Sequence, residues 1–142
     1  MSFLSMFRKS KNVSVIPLNG IIAANMGRRK GLNLSELDKN IEQAFSVKNL
    51  KAVALQINSP GGSPVQSEMI ANRIRELSDK NNVPVIAFVE DVAASGGYWL
   101  ACAADEIIAS KASIIGSIGV VSSGFGFNKA IEKIGIDRRL YT

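Results

Sequence analysis

The sequence contains no histidine and a single cysteine, and both shortages exclude whole classes of chemistry. Without histidine, neither Ser-His-Asp nor Cys-His catalysis is available, and most catalytic zinc sites are excluded as well. Cys102, the one cysteine, cannot form an intrachain disulfide, and its helical surroundings predict a small buried residue. Any nucleophile in this chain therefore needs a base other than histidine.

Long hydrophobic runs are also absent, and the charge is unevenly placed. The N-terminal stretch MSFLSMFRKSK is too short and too charged for a signal peptide or a membrane span. Part of the net charge of +5 comes from Arg8, Lys9 and Lys11 and from residues 28–30. Such clusters are most often solvated surface, the alternative being peripheral contact with an acidic partner or an anionic membrane. Few aromatic residues lie near them, so we expect no nucleic-acid partner.

Apolar periodicity alternates between strand and helix along the chain, which predicts an α/β fold of βαβ units. Parallel strands in such folds are buried on both faces, and we expect this here. The helix at 34–47 should be capped by Asn33 or Ser35. The patterns predict strands at 13–18, 50–57, 83–89, 107–109 and 117–122, and helices at 34–47, 64–80, 95–104 and 127–135.

Two glycine pairs follow predicted strands and precede predicted helices. The first lies in NSPGG at 58–62, and the second is Gly96-Gly97, directly after Ser95. Loops at the carboxyl ends of neighbouring parallel strands lie close together, so both turns should reach one pocket. The amides of Gly62 and Gly96 could then form an oxyanion hole beside Ser95 Oγ, at the start of a helix. Alternatively, both turns serve packing only.

The segments NSPGG at 58–62, DVAASGGYWLACAADEIIA at 91–109 and IIGSIGV at 114–120 resemble the signal peptide peptidase A family of serine peptidases. This family belongs to the Clp protease/crotonase fold group, a spiral of βαβ units around a parallel sheet. The resemblance covers residues 13–142 as a partial peptidase domain, incomplete at its C-terminus, after a basic segment at 1–12. It implies a bacterial protein that is membrane-associated or cytoplasmic.

The resemblance also implies roles for individual residues. Ser95 matches the nucleophile, Gly62 and Gly96 match the oxyanion hole, and Ser117 matches a serine that helps to hold the general-base lysine. It further implies a peptide substrate, such as membrane-derived or signal peptides, a homo-oligomer and no cofactor. Tyr98, Trp99 and Leu100 should pack in the core or at a subunit interface rather than contact substrate.

The family's lysine follows the helix and strand after IIGSIGV, at a position beyond Thr142. Lys111, Lys129 and Lys133 do not match that position, so we expect the 142-residue chain to be inactive by itself. Two other functions remain open. A crotonase-like enzyme would use the paired amides to hold a CoA thioester enolate, and a non-catalytic subunit would only assemble with relatives.

Overall fold

The computed structural model describes residues 11–24, 31–120 and 124–135, and within these ranges the chain alternates strands and helices. The basic residues at 8, 9 and 28–30 lie outside the described residues. The elements are β1 (Asn12–Asn19), α1 (Leu34–Phe45), β2 (Leu50–Ser59), α2 (Pro64–Asn81), β3 (Val85–Ala94), α3 (Gly96–Ala101), β4 (Glu106–Ala109), β5 (Ile114–Gly116) and α4 (Asn128–Lys133).

The strands form one sheet in the order β1-β2-β3-β4, and every pairing is parallel. Strand β5 also pairs with β3, alongside Val92–Ala94, whereas β4 pairs with Ile86–Val89. The α/β class and the parallel sheet are thus confirmed. Strand β3 pairs with β2, β4 and β5. Its carboxyl end lies between β2 and β5, because Ala93 pairs with Ser59 on one side and with Ile115 on the other.

The predicted strand at 117–122 is wrong. The strand is β5, at Ile114–Gly116, and residues 117–120 are not part of it. Gly116 has a φ of +140° and Ser117 a φ of +55°, and these left-handed conformations end the extended run. Residues 121 and 122 lie outside the described residues.

Among the described residues, one face of the sheet is buried and the other is partly or fully exposed, whereas the prediction had both faces buried. Residues of β1, β2 and β3 alternate between buried and more exposed positions, and the buried ones share a single core with α1, α2 and α3. On the opposite face, Val13, Val15 and Phe88 are exposed. The described helices that pack on the strands therefore lie on one side of the sheet.

Capping and ion pairs fix the helices that cover this core. Asn33 Oδ1 accepts a hydrogen bond from Glu36 N at 3.1 Å, so Asn33 is the cap of α1, one of the two predicted residues. Arg73 of α2 forms ion pairs with Asp38 at 2.7 Å and with Glu42, both on α1. This guanidinium thus ties the two long helices together.

Asp105 fixes the start of β3 in a similar way. Its Oδ2 accepts a hydrogen bond from Val85 N at 2.7 Å, and its Oδ1 lies 2.9 Å from Arg75 Nη1. The Val85 N–H, together with the positive charge of Arg75, lowers the pKa of the Asp105 carboxyl. The ionised form is therefore the one that the folded chain stabilises.

We expect Asp105→Ala to lower the free energy of unfolding by about 1–2 kcal/mol at neutral pH, because a charged acceptor of a backbone N–H is lost. Since the pKa of Asp105 is lowered on folding, its contribution is present above the unfolded pKa and lost as the pH falls through the folded one. Urea titrations of both proteins at several pH values measure this difference.

Asp79→Ala is the matched control, since Asp79 pairs with the same Arg75 but is more exposed. It should cost less than 1 kcal/mol. An equal loss in both variants would mean that the Val85 hydrogen bond contributes nothing.

Candidate active site

Ser95 lies at a sharp corner between β3 and α3. Its φ is +52° and its ψ −120°, an uncommon conformation for a residue with a side chain. The Ser95 N–H donates to Gly116 O at 2.9 Å, and Ser95 O accepts from Trp99 N at 3.1 Å. The side chain makes no capping hydrogen bond to α3. The backbone of Ser95 is therefore held on both sides, while its hydroxyl remains available for other contacts.

The PGG turn between β2 and α2 forms a second corner. Gly61 has a φ of +94° and Gly62 a φ of +147°, both within the region that favours glycine. The Gly61 N–H donates to Ser59 Oγ at 3.1 Å. Pro64 then begins α2, with Ser63 as its cap.

The two corners meet, as the sequence predicts. A Cβ added to Gly61 would lie 2.7 Å from Gly96 N and 2.9 Å from Ser95 Cβ. A Cβ on Gly96 would lie 3.4 Å from Gly62 N. Gly97 faces the backbone of Ser59 so closely that a Cβ there would overlap it. Only glycine leaves room for this approach, and it brings two backbone amides close to Ser95.

Ile22 is a part of this arrangement that the sequence analysis missed. It lies just after β1 and is buried, and its N–H donates to Gly61 O at 2.9 Å. Its carbonyl accepts from Ser63 N at 2.7 Å. These two bonds hold the residues on either side of Gly62, and no described residue accepts a hydrogen bond from the Gly62 N–H. Ile22 forms two isolated bridges, with Leu32 and Gly62, and such bridges have no periodic pattern, so no sequence signal marked Ile22.

An apolar cleft of about 340 Å³ lies against Ser95. Its walls include both glycine corners and side chains from α3 and from residues 118–120. The lining residues are Gly62, Pro64, Ser95, Gly96, Tyr98, Trp99, Cys102, Ile118, Gly119 and Val120. Since these side chains are almost all apolar, the cleft suits an apolar group rather than a charged one.

The expectation that Tyr98 and Trp99 pack in the core is wrong, whereas their packing at a subunit interface stays a prediction. Trp99 is 41% exposed, and both rings line the cleft, whereas Leu100 is fully buried as predicted. Cys102 is exposed in the same wall, which corrects the prediction of a buried cysteine. Residues three and four apart lie on one face of a helix, so Trp99 and Tyr98 share their face with Cys102 while Leu100 points to the sheet.

Tyr98 and Cys102 also interact with each other. The neighbouring Cys102 raises the pKa of the Tyr98 phenol. The phenol therefore stays protonated at neutral pH and can serve as a hydrogen-bond donor in the cleft wall.

Neither Ser117 nor the lysines at 111, 129 and 133 line the cleft. Ser117 is exposed and directly follows Gly116, whose carbonyl accepts the Ser95 N–H, but its side chain does not line the cavity. Lys111, Lys129 and Lys133 are exposed. Among the described residues, no lysine lines the cleft. The structure thus brings Ser95, Gly62 and Gly96 together but gives Ser95 no basic side chain within those walls.

Comparison with protein families gives a match over residues 78–142 to the model described as peptidase family S49. Among curated relatives, the chloroplastic serine protease SPPA of Arabidopsis thaliana is 41% identical over 72% of this chain and 15% of its own length. Protease 4 of Haemophilus influenzae is 34% identical over 94% of this chain and 22% of its length.

A further relative is named as an ion transporter rather than as a protease. The Na(+)/H(+) antiporter NhaA of Brucella melitensis is 51% identical over 92% of this chain, which covers 18% of the antiporter. This similarity concerns less than a fifth of that protein. The chain likewise spans less than half the length of the other curated relatives described above.

Two solved structures share the fold. A mutant of a membrane-bound stomatin-specific protease superposes with a TM-score of 0.57 at 21% identity, over 88% of this chain and 60% of its own. An enoyl-CoA hydratase/isomerase family member gives 0.52 at 18% identity, over 89% of this chain and 56% of its own. At these identities the structures establish the Clp protease/crotonase fold alone. The family match places residues 78–142 in peptidase family S49, and over most of its length the chain is similar to proteases of the SppA type.

Proposed function

We propose that this chain carries the nucleophile and oxyanion hole of a serine endopeptidase that uses a lysine as its general base. The proposal rests mainly on one observation, the meeting of Ser95 with the two glycine corners. N–H groups at the start of a helix have no partner within that helix, which leaves the Gly96 amide free. Together with the Gly62 amide, it is suited to stabilise negative charge on a substrate oxygen beside Ser95 Oγ.

In the proposed reaction, Ser95 Oγ attacks the carbonyl carbon of a peptide bond, and its proton passes to the neutral amine of a lysine. The carbonyl oxygen becomes an oxyanion that accepts hydrogen bonds from Gly62 and Gly96. The C–N bond then breaks, and the lysine returns the proton to the leaving amine. Water hydrolyses the acyl-Ser95 ester. Ser117 is proposed to help orient the lysine, because it follows the residue that anchors Ser95.

The cleft supports an apolar substrate. Its walls would bind an apolar side chain next to the scissile bond through burial of nonpolar surface. Membrane-derived and signal peptides are rich in such side chains, and they are the substrate class we propose. A crotonase-like reaction would use the same amides, but the sequence similarity is to family S49 and to protease relatives.

Self-association is part of the proposal. The described residues after β4 include many exposed apolar side chains, among them Ile114, Ile118, Phe125, Phe127 and Ile134. Burying such a surface between subunits is favourable, and a neighbouring subunit could complete the cleft. No described helix is long and apolar enough to cross a bilayer. The exposed Lys11 belongs to the basic segment through which we propose peripheral contact with anionic lipid.

The first test compares the 142-residue chain with a longer chain that continues through the family's lysine region. We expect the short chain to cleave no quenched fluorogenic peptide with apolar side chains, because no described lysine lines the cleft beside Ser95. The longer chain should cleave it, and Ser95→Ala should abolish that cleavage. Its rate should rise with pH towards the alkaline side, because only the neutral amine accepts a proton.

These assays are run over a range of protein concentrations, so that association is included. Ser95-dependent cleavage by the short chain would overturn the missing-base hypothesis. Cleavage that survives Ser95→Ala would reject the serine mechanism, and binding of CoA thioesters without any cleavage would favour the crotonase-like function.

A second test uses Cys102, which is the only cysteine and is exposed in the cleft wall. In the longer, lysine-bearing chain, alkylation of Cys102 with a bulky maleimide should place an adduct in the cavity and lower Ser95-dependent cleavage at least tenfold. Cys102→Ser should retain cleavage and resist the reagent. Full activity of the labelled protein, with labelling verified by mass spectrometry, would show that substrate does not occupy this cavity.

A further inference from the structure

Ser59, the last residue of β2, contacts both glycine corners although it does not line the cleft. Its hydroxyl oxygen accepts the Gly61 N–H at 3.1 Å, and its side chain is fully buried. A serine hydroxyl oxygen that accepts a hydrogen bond from the backbone N–H two residues on is a common way of fixing a turn. In this turn, the next peptide group carries the Gly62 N–H.

The backbone of Ser59 also limits where the second corner can lie. A Cβ on Gly97 would lie 3.1 Å from Ser59 Cβ, and closer still to Ser59 O, so the start of α3 is in direct contact with this residue. Ser59 pairs with Ala93 in β3, two residues before Ser95. The register shifts just before that pair, since Ile57 pairs with Val89. Ser59 thus connects the PGG turn to the strand that ends at Ser95.

From these contacts we propose that Ser59 is a positioning residue, whose hydroxyl orients the Gly61–Gly62 peptide so that the Gly62 amide points to the reacting carbonyl oxygen. This inference rests on the proposed peptidase function for its effect on rate. The effect on the turn itself does not depend on that function. Ser59 touches neither substrate nor Ser95 Oγ in this mechanism, so it acts only through the Gly62 amide.

The test replaces Ser59 with alanine, threonine or valine. Alanine removes the acceptor, whereas threonine and valine have nearly the same shape and differ in the hydroxyl. Ser78→Ala is the matched control, because Ser78 is also buried and its hydroxyl binds a backbone carbonyl, Val83 O at 2.7 Å, outside the site. Thermal unfolding of all four variants measures the general cost of the changes.

The first measurement uses the 142-residue chain and needs no catalysis. Amide chemical shifts and hydrogen-exchange rates at Gly61 and Gly62 are recorded by nuclear magnetic resonance. Ser59→Ala and Ser59→Val should shift both amides and speed exchange at Gly61 at least tenfold, whereas Ser59→Thr and Ser78→Ala should leave them close to the parent. Unchanged Gly61 and Gly62 amides in Ser59→Ala would overturn the proposal.

The second measurement uses the longer, lysine-bearing chain. Loss of one oxyanion-hole donor typically costs about 10²–10³ in rate, so a misdirected donor in Ser59→Ala should lower kcat roughly 10–100-fold. KM should stay within about twofold, and Ser59→Thr should restore kcat. A change in KM alone, or equal kcat values for the threonine and valine variants, would contradict a positioning role. If the parent cleaves nothing, the peptidase proposal fails, while the amide measurement still decides whether Ser59 orients the turn.

Discussion

The candidate site depends on the close approach of two backbone turns that follow consecutive parallel strands. Gly61 and Gly62 come just after β2, and Gly96 and Gly97 come after β3. A Cβ on Gly61 or Gly97 would crowd the opposite corner. One on Gly62 would overlap the Ile22 backbone, and one on Gly96 would overlap the Ser67 hydroxyl. The approach therefore fixes the residue type at each position, and it leaves backbone amides, rather than side chains, as the groups beside Ser95.

This approach has an energetic cost that neighbouring hydrogen bonds offset. A residue with a side chain in the conformation of Ser95 costs on the order of 1–3 kcal/mol. The hydrogen bond from Ser95 N to Gly116 O offsets part of this conformational cost, since one hydrogen bond contributes about 1 kcal/mol. Strand β5 is short, but it supplies that carbonyl. Its pairing with the end of β3 is consequently part of what holds the Ser95 corner in place.

Most of the fold could be predicted from periodicity, and the meeting of the glycine corners followed from the rule for parallel strands. The misses have local causes. Strand β5 has only three residues, and positive φ at Gly116 and Ser117 ends it before the predicted strand begins. Trp99 lies on a six-residue helix and Cys102 is its C-cap, and this helix is too short for its apolar pattern to indicate which face is buried. Ile22 acts through its backbone, which the residue type does not reveal.

The apolar cleft bears on our proposal that a lysine, in a chain without histidine, is the base for Ser95. Histidine accepts protons near neutral pH, whereas lysine must first lose several pKa units through desolvation. Tyr98, Trp99, Ile118 and Val120 provide an apolar environment next to Ser95. A lysine amine that entered this cleft, from a continuation of the chain or from a neighbouring subunit, would lose hydration and become neutral more readily. The same walls that favour an apolar peptide would therefore also make a lysine competent to activate Ser95.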